Sequence, residues 1–119
     1  MKAEALKKAA VAALEDIKAR DIAVLNVKKL TSVTDYMIVA SGDSARQVKA
    51  LARNVVEKVS EAGGEVLGIE GEAVGEWVLV DLGDVVVHVM HPAVREHYNL
   101  EELWAAPTPT RKKLAAGES

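Results

Sequence analysis

The sequence predicts an α/β (α+β) domain in which one mixed five-stranded sheet carries packed helices, in the order αββαβββα. Three observations lead there. Short apolar runs rich in Val and Ile alternate with two long stretches of helical periodicity, the connections between them are short, and only four aromatic residues among 119 leave the interior to Val, Leu, Ile and Ala. A chain of this length hides roughly 65% of its unfolded surface around a single core. The domain is therefore expected over residues 1–105, with a flexible tail over 106–119.

The first helix follows from Leu6, Ala9, Ala10, Ala13, Leu14 and Ile17, which recur at helical spacing between lysines and glutamates, so residues 3 to 19 read as amphipathic. Residues 22 to 27 and 35 to 41 are short and apolar, joined through Thr31-Ser32-Val33-Thr34, and read as two buried antiparallel strands. Ser44 with Gln47 three positions on forms a capping box for a second helix, whose core stripe is Val48, Leu51, Ala52, Val55 and Val59. Gly63-Gly64 ends that helix. A short strand around Val66 to Ile69 is expected next.

Trp77 to Asp81 and Asp84 to Met90 read as a hairpin around Leu82-Gly83. A two-residue loop there sets Asp81 opposite Asp84, Leu79 opposite Val86 and Trp77 opposite His88, all on one face. Val78, Val80, Val85 and Val87 fill the other face, which must pack on the long helices. Trp77, His88 and the aspartates are left on a face expected to be wet or to meet a partner. Pro92 suits the first turn of a short helix through Tyr98, and Asn99 with Glu102 repeats the capping pattern for a last turn carrying Leu100, Leu103 and Trp104. Pro107 and Pro109 then mark the tail.

Composition narrows the function classes. The chain has no cysteine, which removes disulfides, thiolate zinc sites and thiol catalysis, and fits a reducing compartment, so a cytoplasmic setting is expected. The N-terminal residues run straight into the amphipathic pattern without the apolar centre of a signal peptide, and no stretch approaches the roughly 20 apolar residues of a transmembrane helix. Net charge is −3. From Glu57 to Asp84 the acids are Glu57, Glu61, Glu65, Glu70, Glu72, Glu76, Asp81 and Asp84 against Lys58 alone. That stretch favours a basic partner over naked nucleic acid, or is simply a solvated face.

No constellation for catalysis emerges. His88, His91 and His97 lie on a strand end, beyond it and on the following helix, with no carboxylate in a ligand pattern, so ordinary packing or surface roles outweigh a metal site. Ser41-Gly42-Asp43-Ser44 stands where a phosphate-binding turn would, but lacks the P-loop lysine and reads as a plain strand-to-helix turn. Two-metal transfer needs carboxylates converging on cations about 4 Å apart. Glu70-Gly71-Glu72 is centred on a turn glycine, and Asp81 with Asp84 flanks a hairpin instead of alternating along a strand. No cofactor is expected. Trp77 with Asp81 and His88, and the segment from Tyr98 to Trp104, offer aromatic anchors within a charged rim, the anatomy of a protein interface. The same residues also suit a cover for the sheet end and a staple for the last turn, and spacing alone leaves both open.

Several segments agree in order with one family. They are Leu30-Thr31-Ser32-Val33-Thr34-Asp35-Tyr36-Met37-Ile38-Val39-Ala40-Ser41-Gly42-Asp43-Ser44, Arg46-Gln47-Val48-Lys49-Ala50, Glu70-Gly71, the run from Trp77 to His88, and the run from Arg95 to Trp104. Each is weak alone; together, from Asp21 to Trp104, the sequence resembles the RsfS/Iojap family of ribosomal silencing factors. Met90, His91, Ala93 and Val94 depart from its pattern, at the edge of the expected binding face. The resemblance implies a nucleotidyltransferase-like fold without catalytic carboxylates. It also implies a non-enzymatic repressor that binds ribosomal protein L-fourteen on the large subunit, keeps the small subunit away when nutrients are scarce, and is a homodimer when free. Partner contacts are then expected at Trp77, Asp81, His88, Tyr98, Leu103, Trp104 and Glu70. The competing readings are a metal-dependent nucleotidyltransferase-like enzyme and a ribosomal-RNA-binding assembly factor.

Overall fold

The computed structural model describes residues 1–105, with side chains through Glu102. The tail expected over 106–119 lies outside the described residues. Helix α1 (Ala3–Asp16) buries Leu6, Ala10, Ala13 and Leu14. It stops short of residue 19 because Lys18 turns into the left-handed region at φ 59°, and the Ala19 N–H reaches back to the Leu14 carbonyl at 2.9 Å. Strands β1 (Arg20–Asn26) and β2 (Tyr36–Ser41) pair antiparallel as expected, with an irregularity between Arg20 and Ala23.

Helix α2 (Ala45–Glu61) begins on the expected cap. The Ser44 hydroxyl accepts the Gln47 N–H at 3.1 Å, while the Gln47 side chain reaches one residue further than a capping box requires, accepting from the Asp43 N–H at 2.7 Å. Val48, Leu51, Ala52, Val55 and Val59 are fully buried. Asn54, also buried, donates to the Ala13 carbonyl at 2.8 Å and fastens α2 to the last turn of α1.

The remaining strands are β3 (Gly68–Glu70), β4 (Trp77–Asp81) and β5 (Val85–Met90), in a mixed five-stranded sheet of order β1-β2-β5-β4-β3. Only β2 and β5 run parallel. Alternation sends Ile38, Ala40, Val78, Val80, Val85, Val87 and Val89 against α1 and α2, the valine-lined face read from the sequence. Each buried valine there stabilises the fold by about 1.5–3 kcal/mol relative to exposure.

The hairpin register is not the expected one. Trp77 pairs with Met90, Leu79 with His88 and Asp81 with Val86. Leu82 donates to the Val85 carbonyl at 2.9 Å, so the two-residue loop is Gly83-Asp84 instead of Leu82-Gly83. Gly83 takes φ +86° at its first central position, which only glycine adopts without strain, and the Asp81 carboxylate accepts the Gly83 N–H at 2.9 Å. Because this bond ties Asp81 into the turn, the loop falls one residue later than the local pattern predicts. The slip amounts to two positions across the pair, a full side-chain period, so every residue keeps its assigned face.

Two short helices, α3 (Pro92–Tyr98) and α4 (Leu100–Ala105), cover part of the second face. Pro92 starts α3 as expected, and Asn99 separates the two in the left-handed conformation (φ 47°). Its N–H closes α3 on the Arg95 carbonyl, and its side-chain amide donates to Glu102. Val94 and Leu100 pack on a second small core of Val27, Met37, Val39 and Met90.

Candidate functional site

The second face divides in two. Over β1, β2 and the Met90 end of β5 it is roofed by α3 and α4; at Val86 of β5 and along β4 and β3 it stays partly open. Reading across the ladder, Val39, His88, Leu79 and Glu70 form one row, and Met37, Val86, Asp81 and Gly68 the next. Trp77, Leu79, Asp81 and Val86 are half-buried here and Glu70 is exposed, which gives an apolar floor with carboxylates along its outer edge.

Trp77 is the centre of this surface. Its indole Nε1 donates to His88 Nδ1 at 3.0 Å, across the diagonal between β4 and β5. The Tyr98 ring lies 4.9 Å from it at a tilt of 49°, and His97 meets Tyr98 edge-on at 4.8 Å. Tyr98 is 54% exposed. The backbone beneath Trp77 is set by Gly71, whose φ is +86° and where any Cβ would lie 2.1 Å from the Trp77 carbonyl oxygen. Gly71, Glu70, Trp77 and Leu79 line a shallow depression at this edge.

His88 corrects the expectation of a wet residue: it is only 7% exposed. Burial pushes its pKa down to about 4, so the imidazole is neutral at pH 7. Accepting at Nδ1 places its proton on Nε2. His88 sits between Val39 and Leu79 of the neighbouring strands with the Trp77 ring 5.9 Å away between centroids, a grouping that the local sequence around His88 does not announce.

A second arrangement went unread in the sequence. Arg95 of α3 donates to the Ser41 hydroxyl at 2.8 Å and makes two 2.8 Å bonds to the Glu101 carboxylate of α4. Glu101 is held below the usual carboxylate range, first by its hydrogen bond from Arg95. Both short helices are thus pinned to the end of β2. The spacing Arg95 to Glu101 was visible, but its third partner, Ser41, comes from the other half of the chain.

The acidic stretch is dispersed. Glu57 and Glu61 sit on α2 in the opposite layer, and Glu72 is paired with Arg53 at 2.5 Å. Glu70 and Asp81 lie on the open face itself, with Glu76 just before β4 and Asp84 in the loop before β5. The structure therefore brings together Trp77, His88, Tyr98, Asp81 and Glu70 on one side of the sheet; the side chains of Leu103 and Trp104 lie outside the described residues. Among the described residues, no three His, Cys, Asp or Glu side chains gather as a metal-ligand set, and no helix is long and apolar enough to cross a membrane.

A family model described as "Ribosomal silencing factor during starvation" matches residues 1–118. The chain is 56% identical over 110 residues to ribosomal silencing factor RsfS of Chromobacterium violaceum, covering 92% of this chain and 90% of that one. It is 44% identical over 104 residues to ribosomal silencing factor RsfS of Bacillus subtilis, covering 87% and 88%. A crystal structure of a Chromobacterium violaceum protein superposes with a TM-score of 0.87 at 57% identity, over 92% of this chain and 91% of that chain.

Proposed function

The chain belongs to the ribosomal silencing factor family RsfS, and from that membership we propose that it represses translation by occupying the large ribosomal subunit. The open sheet face docks on a basic patch of ribosomal protein L-fourteen, and the body of the protein then fills space that the small subunit needs. Catalysis has no part in this. The protein works in the cytoplasm and is a homodimer when free.

One observation carries the reading: a half-buried tryptophan, Trp77, braced by His88 and Tyr98, stands beside the carboxylates of Glu70 and Asp81. A rigid aromatic with little conformational entropy to lose, set in a charged rim, is the pattern of a binding hot spot. The rim carboxylates supply electrostatic steering towards a basic surface. Sucrose-gradient profiling of purified ribosomal subunits tests the function directly. The protein is expected to comigrate with large subunits and to deplete the joined particle in a dose-dependent way; unchanged joining at saturating protein removes the proposal.

A further inference from the structure

We propose that His88 serves docking without touching the partner, as a positioning residue whose ring nitrogen fixes the orientation of the Trp77 indole. The inference rests on Trp77 being a docking anchor, and it assigns the two residues different tasks. An approaching protein surface meets the uncovered part of half-buried Trp77, but finds His88 covered at 7% exposure.

The geometry supports this division. His88 sits on β5, a strand paired on both sides by β2 and β4, so its backbone is among the most constrained in the sheet. Trp77 lies on β4 at the end of its ladder, opposite Met90, where its ring packs on the second small core and beside Tyr98; these apolar contacts hold the ring but do not set which edge carries the N–H. An indole has one polar atom, and that atom is a donor only. Its 3.0 Å bond to His88 Nδ1 therefore selects the ring flip that points the N–H inward, and leaves the remaining carbon face towards Tyr98 and solvent. The bond works in both directions: without the indole, a buried imidazole nitrogen has lost its donor. A tryptophan fixed in this way enters the complex without further ordering, which is worth about two- to tenfold in affinity for one immobilised side chain.

Full-length His88→Leu and His88→Asn separate positioning from contact. Leucine removes the acceptor at similar size, and asparagine restores an oxygen close to the Nδ1 position. Two quantities are measured: hydrogen-exchange protection of the Trp77 indole N–H, identified by its absence from the Trp77→Ala spectrum, and affinity for purified large ribosomal subunits. His88→Leu is expected to lose the protection and bind about two- to tenfold more weakly, and His88→Asn to recover most of both. Should His88→Leu fail to fold, benzothienylalanine at position 77, which replaces the indole N–H by sulfur, is expected to give the same weakening. Wild-type affinity with an unprotected or absent N–H overturns the inference. So does weak binding by His88→Asn with its indole N–H still protected, since the imidazole would then be a contact. Unchanged binding by Trp77→Ala instead defeats the docking reading itself, a distinct result.

Discussion

Arg95 and Ser41, fifty-four positions apart, are joined by a 2.8 Å hydrogen bond that anchors the roof of the second sheet face to the end of β2. The Arg95 side chain is 12% exposed and its other nitrogens are taken by Glu101. Arg95→Ala is expected to destabilise the fold by about 2 kcal/mol, because a buried hydroxyl and a carboxylate lose charged partners together. Arg95→Lys is expected to recover little, since an ammonium cannot span both acceptors in one plane. Urea unfolding of the two variants checks this; equal stability of Arg95→Lys and the parent chain contradicts it.

Gly71 and Gly63 separate two kinds of glycine requirement. Both have positive φ, +86° and +94°, but a Cβ at Gly63 meets nothing within 4 Å, whereas one at Gly71 meets the Trp77 carbonyl oxygen at 2.1 Å. Gly63→Ala is expected to cost about 1 kcal/mol, the conformational penalty alone. Gly71→Ala must also displace the start of β4 and is expected to cost about 3 kcal/mol. Thermal unfolding of the pair gives the difference.

The buried neutral His88 makes stability depend on pH. Its folded pKa, about 4, lies below the ordinary imidazole value of 6.5, so the unfolded chain takes up a proton first as the solution is acidified. The contribution is fully present above pH 6.5 and is lost as pH falls towards 4, amounting to about 3 kcal/mol over that interval. His88→Leu is expected to remove this part of the acid dependence, which chemical denaturation at several pH values between 4 and 7 reads as a flatter slope.

Anchor and rim are expected to differ in how they fail. Trp77→Ala should weaken binding to large subunits about 30-fold or more, the equivalent of about 2 kcal/mol at a hot spot. Glu70→Gln should slow association by a few-fold and lower its salt dependence, with dissociation little changed. Stopped-flow association over a range of ionic strengths distinguishes them, and a salt-independent loss in Glu70→Gln would place that carboxylate in the buried part of the contact.

Where the sequence was readable, one period or one cap was enough. The α2 stripe, the Ser44 cap, the Pro92 start and the two faces of the β4–β5 hairpin all follow from local pattern, because burial imposes a repeat of 3.6 or 2 on the residues involved. The hairpin register did not follow, since Asp81 bonding its own turn made Gly83-Asp84 the loop, and dipeptides of both kinds were available. Nor did the burial of His88, which sits between Val39 and Leu79 of neighbouring strands with the Trp77 ring against it. The candidate docking residues were visible as types, an aromatic among acids, while their division into a half-buried anchor and a covered brace required the ladder.

The placement of β5 between β2 and β4 has a consequence for synthesis of the chain. Until Met90 has left the ribosome that makes it, the strand that joins the two halves is missing, and β2 and β4 each present a raw edge with no partner. A stalled or prematurely ended chain is thus a pair of sticky hairpin fragments, prone to clump, and a protein that restrains ribosomes is itself exposed to harm from interrupted translation.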